Sequence, residues 1–139
     1  MKKRLFLSLF AAFLCIAASA EVTYLTTADF KTKVMDYTTY SPDKGWQGVN
    51  QRPCVIDFYT TWCGPCKRLA PIMDSLSIVY KGKIDFYKVN TEQERELAYF
   101  FQITSIPQVL YVPRKGEPTL TKGLYPVAEI TKIIDAVCK

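Results

Sequence analysis

The chain has 139 residues, a formal net charge of +5, five cysteines and no histidine. That length accommodates one domain with a single core and is too short for two. The absence of histidine excludes Ser-His-Asp and Cys-His catalysis and histidine-based metal sites, so acid–base chemistry is left to Cys, Asp, Glu, Lys or Tyr.

The first 20 residues differ in composition from the rest. Lys2-Lys3-Arg4 precede an apolar run over 5–16, and Ala18-Ser19-Ala20 close the segment. A basic start, a short apolar centre and small residues at the end are typical of a secretory signal peptide. The apolar run is too short to span a bilayer comfortably. We predict a signal peptide over 1–20, with an uncleaved anchor as the alternative, and one domain over 21–139.

Removal of this segment changes both the charge and the cysteine count. It takes away three of the 18 basic residues together with Cys15, and Leu14 is not the small residue that a lipid-attachment site requires before its cysteine. Nucleic-acid binding is disfavoured because no stripe of Lys and Arg remains. We therefore expect a soluble protein secreted across the inner membrane into the periplasm, a compartment where disulfides form.

Beyond residue 20, segments of strand and helix character alternate. Apolar, β-rich runs predict strands, and apolar residues at helical spacing predict amphipathic helices. The predicted elements are a strand over 22–26, a helix over 27–37 capped by Thr27, an irregular stretch over 38–52, a strand over 54–60, a helix over 63–80 kinked at Pro71, a strand over 83–89, a helix over 92–101 capped by Thr91, two hairpin strands over 108–112 and 119–122, and a helix over 127–139. This order predicts a three-layer α/β domain with a mixed sheet.

The segment Trp62-Cys63-Gly64-Pro65-Cys66-Lys67 stands where a strand gives way to a helix. Cysteines at this spacing lie one helical turn apart, close enough to form a disulfide. Free N–H groups and the helix dipole would stabilise a Cys63 thiolate, so we predict Cys63 as the nucleophile and Cys66 as the resolving cysteine. Half of a zinc site is disfavoured because there is no second Cys pair. A purely structural disulfide is disfavoured because so small a loop gives little stabilisation.

This motif follows a strand that ends Asp57-Phe58-Tyr59, and the combination is similar to that of the thioredoxin family. The likeness covers nearly all of the chain after residue 20. It implies the thioredoxin fold, a central mixed β-sheet with helices on both faces. It also implies a redox-active Cys63–Cys66 disulfide that works without a metal or another cofactor.

Two ionisable residues are predicted to handle protons. Asp57 lies in an apolar strand, where burial makes its charged form costly and raises its pKa. The alternative is a carboxylate satisfied at a strand edge. The resemblance implies that Asp57 exchanges a proton with Cys66 and that Lys88 lies beside it, with an ordinary solvated strand lysine as the alternative for Lys88.

The resemblance also predicts a substrate-binding rim. Ile106-Pro107 matches the family's cis-proline position, for which a trans proline at a strand entry is the alternative. Gly123 matches a glycine where a side chain would block substrate. The predicted rim around an exposed Cys63 consists of Trp62, Gly64, Pro65, Ile106, Pro107 and Gly123. An extended substrate segment would pair with the Ile106 backbone.

Two features depart from the family pattern. Cys54 and Cys138 lie outside the motif and are most simply small buried hydrophobic residues, although the compartment would also allow a second disulfide between them. The stretch 38–52 is longer than in a minimal thioredoxin and rich in aromatic residues. It either selects a partner or packs as a surface decoration.

The leading functional hypothesis is a secreted, monomeric thiol–disulfide oxidoreductase that reduces disulfides in protein substrates and is recharged by a membrane electron donor. Gly64-Pro65 and Ile106 resemble the reducing members of the family. The alternatives are a disulfide-forming oxidase or isomerase and a reductant dedicated to cytochrome c maturation. A non-redox peptide-binding or chaperone domain is the alternative from a different class.

Overall fold

The computed structural model describes residues 21–138, so the predicted signal peptide over 1–20 lies outside the described residues. The elements are β1 (Thr23–Tyr24), α1 (Thr27–Lys33), a 3-10 turn (Tyr37–Thr39), β2 (Cys54–Tyr59), α2 (Gly64–Val79), β3 (Asp85–Asn90), α3 (Arg95–Phe100), β4 (Gln108–Val112), β5 (Thr119–Lys122) and α4 (Val127–Val137). The predicted order of strands and helices is confirmed. No helix within residues 21–138 has the length and apolar character needed to cross a membrane.

The five strands form one mixed sheet in the order β1-β3-β2-β4-β5. The strands β1, β3 and β2 are parallel to one another, whereas β4 runs antiparallel to β2 and to β5. The predicted hairpin of β4 and β5 is therefore confirmed. β2 is central and is buried over its first five residues, as its continuous apolar run predicts.

Two apolar cores lie on opposite faces of the sheet. The first core joins Val55 of β2 to Leu69 and Met73 of α2 and to Ile130 and Ile134 of α4. The second core packs alternate β2 residues against α1 and α3. Its members include Phe30, Ile56, Phe58 and Leu97. Because successive strand residues point to opposite faces, one strand supplies both cores, and the predicted three-layer arrangement is confirmed.

The start of α1 differs from the prediction by one residue. Thr26, not Thr27, caps the helix: its hydroxyl accepts from the Asp29 N–H at 3.1 Å, and the Asp29 carboxylate accepts from the Thr26 N–H at 3.4 Å. Thr27 instead donates its N–H and its hydroxyl to Glu94 Oε2, at 2.8 and 2.6 Å. The predicted cap is wrong because a contact remote in sequence takes up the Thr27 side chain.

The predicted start of the third helix is also wrong. Residues 91–93 form a turn, and α3 begins only at Arg95. The Thr91 N–H donates to the Tyr59 carbonyl at 3.0 Å, which extends the pairing of β3 with β2. The side chain that caps this turn belongs to Asn90, whose Oδ1 accepts from the Glu92 N–H at 3.0 Å.

The long stretch 38–52 is packed against α3 and the β4–β5 turn. Tyr40 and Trp46 contact Phe100 and Phe101, with ring centroids 5.6 and 6.3 Å apart respectively. The Trp46 N–H donates to Glu117 Oε1 at 2.9 Å. These contacts extend the second core and make the stretch an ordered part of the domain.

Among residues 21–138, the two cysteines outside the motif, Cys54 and Cys138, are buried and form no disulfide. Cys54 belongs to the second core and Cys138 to the first, on the opposite face of the sheet. Burial raises the pKa of both thiols, that of Cys138 to about 12. Their prediction as small hydrophobic residues is confirmed.

Candidate functional site

The predicted site residues converge at one end of the sheet. Parallel pairing brings the ends of β2 and β3 together at Tyr59 and Asn90. Antiparallel pairing brings the start of β4, at Gln108, beside Phe58 of β2 and Lys122 of β5. Three segments therefore meet where α2 begins. Two of them follow β2 and β5, and the third precedes β4.

Cys63 and Cys66 form a disulfide at the N-terminus of α2, with their Cα atoms 5.3 Å apart. Cys63 is the N-cap, and its Sγ accepts from the Cys66 N–H at 3.2 Å. Pro65 lies in the first turn, where the N–H that proline lacks has no partner within the helix. Both the free N–H groups and the helix dipole favour negative charge on the Cys63 sulfur once the disulfide is reduced.

The expectation of an exposed Cys63 is wrong for this oxidised form. Cys63 is only 5 % exposed and Cys66 3 %. The Cys63 Sγ is bonded to Cys66 and accepts from the Cys66 N–H, so it lies against the first turn of α2. Gly64 and Pro65 are exposed beside it, which leaves their backbone open on the surface.

Trp62 of the predicted rim is 68 % exposed. Its indole Nε1 donates to Glu92 Oε1 at 2.9 Å. Glu92 lies in the turn that follows β3. Asn90 caps this turn, so the backbone that carries the Glu92 carboxylate is held in place. Sequence reasoning assigned Glu92 only to a helix start. Glu92 follows β3 and Trp62 follows β2, and these two strands pair in parallel. That relation was the signal that could have placed Glu92 near Trp62.

Pro107 and Gly123 lie together at the start of β4. The Ile106–Pro107 peptide bond is cis, and the Pro107 carbonyl accepts from the Gly123 N–H at 2.8 Å. Gly123 has a φ of +97°, in the left-handed region that favours glycine, whereas a Cβ there would meet no atom within 4 Å. The positive φ favours glycine at this position. Crowding within the protein does not, since a Cβ would have room there.

Asp57 is only 4 % exposed, and its Oδ1 has no hydrogen-bond partner. It lies in the central strand and pairs in register with Lys88 and Val109, so the alternative of a strand-edge carboxylate is wrong. Burial raises the pKa of Asp57 to about 7, and the positive charge of Lys88 opposes that rise. The side chain shares the face of Val55, which is the face that α2 covers.

Lys88 is half-buried beside Asp57 but does not form an ion pair with it within 4.0 Å. Its Nζ lies 4.2 Å from the ring centroid of Tyr24 on β1. Tyr24 was not singled out from the sequence. It belongs to a strand of two residues, too short for periodicity to show which residues it faces.

The raised pKa of Asp57 predicts a specific pH dependence of stability. Between the ordinary pKa of 3.8 and about 7, the unfolded chain is ionised at Asp57 while the folded protein keeps the proton. Folding then takes up a proton, so the oxidised protein loses stability as pH rises through this window. The free energy of unfolding falls by about 1.4 kcal/mol for each pH unit in the window, and it stops falling above it. Urea unfolding across this pH range should show the loss in the wild type, whereas Asp57→Asn should lack it.

No group of three or more His, Cys, Asp or Glu side chains that could hold a metal ion lies within residues 21–138. In the site, the two sulfurs are bonded to each other. The arrangement is suited to exchange between a disulfide and two thiols, with one carboxyl group, that of Asp57, buried on the face of the sheet that α2 covers.

A mixed five-stranded sheet between helices, with a disulfide at the start of α2, defines a class of thiol–disulfide oxidoreductases. The sequence profile of the family described as Thioredoxin matches residues 21–136. The chain belongs to the thioredoxin family, and it is a thiol–disulfide oxidoreductase with the protein-disulfide reductase activity expected of that family.

Curated relatives and a solved structure agree with this assignment. The chain is 44 % identical over 99 residues to a thioredoxin of Borreliella burgdorferi, which covers 71 % of this chain and 82 % of that protein. It is 33 % identical over 107 residues to thioredoxin M5, chloroplastic, of Oryza sativa subsp. japonica, covering 75 % of this chain but only 62 % of that protein. A crystal structure of chloroplastic thioredoxin z superimposes with a TM-score of 0.66 at 21 % identity, covering 84 % of this chain and 93 % of that one, which supports the fold.

Proposed function

We propose that the chain reduces disulfides of other proteins with Cys63 as nucleophile, Cys66 as resolving cysteine and Asp57 as proton acceptor. The observation that carries this proposal is the Cys63–Cys66 disulfide at the N-terminus of α2, on the face of the sheet where Asp57 is buried. The N-cap position supports the division of roles, since it favours the thiolate form of Cys63 over that of Cys66.

The reaction takes two exchange steps that start from the reduced protein. First, the Cys63 thiolate attacks one sulfur of the substrate disulfide, and the other substrate sulfur leaves as a thiolate. Cys66 then loses its proton to the Asp57 carboxylate and attacks the Cys63 Sγ. The mixed disulfide breaks, the second substrate sulfur leaves as a thiolate, and the Cys63–Cys66 disulfide forms. Two electrons pass to the substrate, and each released thiolate takes up a proton.

The buried position of Asp57 suits it to this proton transfer. A carboxyl group with a pKa of about 7 is half ionised near neutral pH, so it can both accept the Cys66 proton and give it up again. Carboxylates with an ordinary pKa hold a proton too weakly for this task. The orphaned Oδ1 is an acceptor that no neighbouring group occupies.

Asp57→Asn is expected to slow the resolving step by about 10²-fold near neutral pH, because Cys66 loses its proton acceptor. The difference from the wild type should shrink as pH rises towards the ordinary thiol pKa, since Cys66 then ionises without help. Stopped-flow measurement of mixed-disulfide decay tests this. Asp74→Asn, an exposed carboxylate on α2, is the matched control and should behave as the wild type. Equal rates for both variants would remove Asp57 from the mechanism.

The reductive direction is supported by Gly64-Pro65 between the cysteines and by Ile106 before Pro107, both of which resemble reducing members of the family. A reductant of protein disulfides needs a reduction potential below that of the disulfides it reduces. Equilibration with reduced and oxidised glutathione measures that potential. A potential of about −180 to −120 mV, the range of disulfide isomerases and oxidases, would favour the alternative of a disulfide-forming oxidase or isomerase, and a narrow substrate range would favour a reductant dedicated to cytochrome c maturation.

We also propose secretion to the periplasm, release of residues 1–20, function as a monomer and reduction by a membrane electron donor. The basic start, apolar centre and Ala18-Ser19-Ala20 support the cleavage. In an oxidising compartment a soluble reductant requires an electron source on the membrane side. Mass spectrometry of the periplasmic protein should find Glu21 at the N-terminus, and Cys63 should become oxidised when membrane electron supply is blocked.

A further inference from the structure

Three side chains form a row across the sheet, on the face that α2 covers. Lys88 of β3 pairs in register with Tyr24 of β1 on one side and with Asp57 of β2 on the other. Neighbouring strands lie about 4.8 Å apart, and residues in register point to the same face. The Lys88 ammonium can therefore lean towards either the tyrosine ring or the carboxyl group.

In the structure Lys88 leans towards the tyrosine. Its Nζ lies 4.2 Å from the Tyr24 ring centroid, well within the range of a cation–π contact. The same ammonium is beyond 4.0 Å from the Asp57 carboxylate, whose Oδ1 is left without a partner.

Tyr24 is itself held in place. The ring packs against Tyr59 at a centroid distance of 6.5 Å. The next residue, Leu25, donates its N–H to the Lys88 carbonyl at 3.0 Å, which fixes β1 in register with β3. Although Tyr24 is 64 % exposed, these contacts hold its ring where the Lys88 ammonium makes its cation–π contact.

We propose that Tyr24 is a positioning residue for proton transfer at Asp57: its ring holds the Lys88 ammonium on the β1 side and limits how strongly Lys88 stabilises the Asp57 carboxylate. This inference rests on the proposed role of Asp57 as proton acceptor. A lysine drawn close to Asp57 would favour the ionised carboxylate and make it a weaker base towards the Cys66 thiol. The ring thereby preserves the basicity that the second exchange step uses.

Other groups around Asp57 do not change charge in the relevant pH range. Tyr59 of β2 and Tyr111 of β4 both carry hydroxyls whose pKa is raised to about 12 by burial. From α2, Cys66 is held in the disulfide of the oxidised protein. Lys88 is thus the charged neighbour that lowers the pKa of Asp57.

The test is the titration of the Asp57 carboxyl carbon, followed by ¹³C NMR in the oxidised full chain. In Tyr24→Leu we expect the midpoint to fall by about one pH unit, because Lys88 loses the ring and moves towards Asp57. Tyr24→Phe keeps the ring face and should titrate as the wild type. Tyr99→Leu, which replaces a tyrosine that is 86 % exposed on α3, is the matched control and should also titrate as the wild type.

A double-variant comparison separates this role from a general structural one. In a Lys88→Met background, Tyr24→Leu should leave the Asp57 midpoint unchanged, since there is no ammonium to release. An unchanged midpoint in Tyr24→Leu overturns the proposal, as does an equal shift in the Lys88→Met background or in Tyr24→Phe. The kinetic result for Asp57→Asn is measured separately, so failure of the Asp57 role and failure of the Tyr24 role are distinguishable.

Discussion

Cys63→Ser is expected to lower disulfide-reductase activity to the rate measured without protein. The serine hydroxyl is not ionised near neutral pH and forms no mixed disulfide, so the first exchange step cannot occur. Reduction of insulin by dithiothreitol, followed by turbidity, measures this. Cys138→Ser is the matched control: it removes a cysteine outside the motif and should retain wild-type turnover. Full reductase activity in Cys63→Ser would remove Cys63 as the nucleophile, whereas a wild type without reductase activity would support the non-redox peptide-binding alternative.

The partner variant Cys66→Ala should lose turnover but keep the first step. Cys63 still attacks substrate disulfides, and without Cys66 the mixed disulfide is not resolved. Covalent adducts that are released by dithiothreitol should accumulate and identify the substrates by mass spectrometry. The same adducts must be absent from Cys63→Ser. Adducts on Cys66 in Cys63→Ser, with none in Cys66→Ala, would reverse the proposed order of the two cysteines.

Phe30→Ala is expected to lower the free energy of unfolding by about 3–5 kcal/mol. Phe30 is fully buried in the second core, and its ring makes edge contacts with Tyr37 and Phe101 at centroid distances of 6.2 and 5.6 Å. Removal of the ring leaves a cavity between α1 and α3 that rigid neighbours fill only in part. Urea unfolding followed by circular dichroism gives the free-energy difference.

The control for this stability effect is Tyr99→Ala, which truncates an exposed aromatic residue on α3. Its expected change is within about 0.5 kcal/mol. Phe30→Ala should also retain reductase activity below its unfolding transition, because Phe30 lies in the core on the face away from α2. A loss below about 1 kcal/mol would contradict the packing described for the second core.

Much of this structure follows from local patterns in the sequence. The continuous apolar run of β2 and the helical spacing of apolar residues in α2 and α4 depend on neighbours in the chain, and the fold was predicted from them. The redox pair was predictable for the same reason, since Cys63 and Cys66 share one helical turn. Burial of Asp57 followed from the apolar residues on both sides of it.

The predictions that were wrong depend on partners remote in sequence. Thr27 was taken for a cap because its true partner, Glu94, is 67 residues away. Glu92 became a helix residue in the prediction because its contact with Trp62 spans 30 residues and requires the register of β2 with β3. Exposure of Cys63 was expected because the motif does not specify which residues surround the start of α2 in the folded chain, and these decide that Cys63 is buried.

The packed stretch 38–52 also bears on how the family diversifies. The stretch is held by hydrogen bonds to Val34, Pro113 and Glu117. The Pro113 carbonyl accepts from the Asn50 amide at 3.0 Å, and both Pro113 and Glu117 lie in the β4–β5 turn. That turn stands at the end of the sheet opposite Pro107 and Gly123. Evolution can therefore lengthen, shorten or rewrite this stretch without moving the sulfurs, and the same freedom makes it a place where a protein engineer could graft a foreign recognition segment onto a working redox centre.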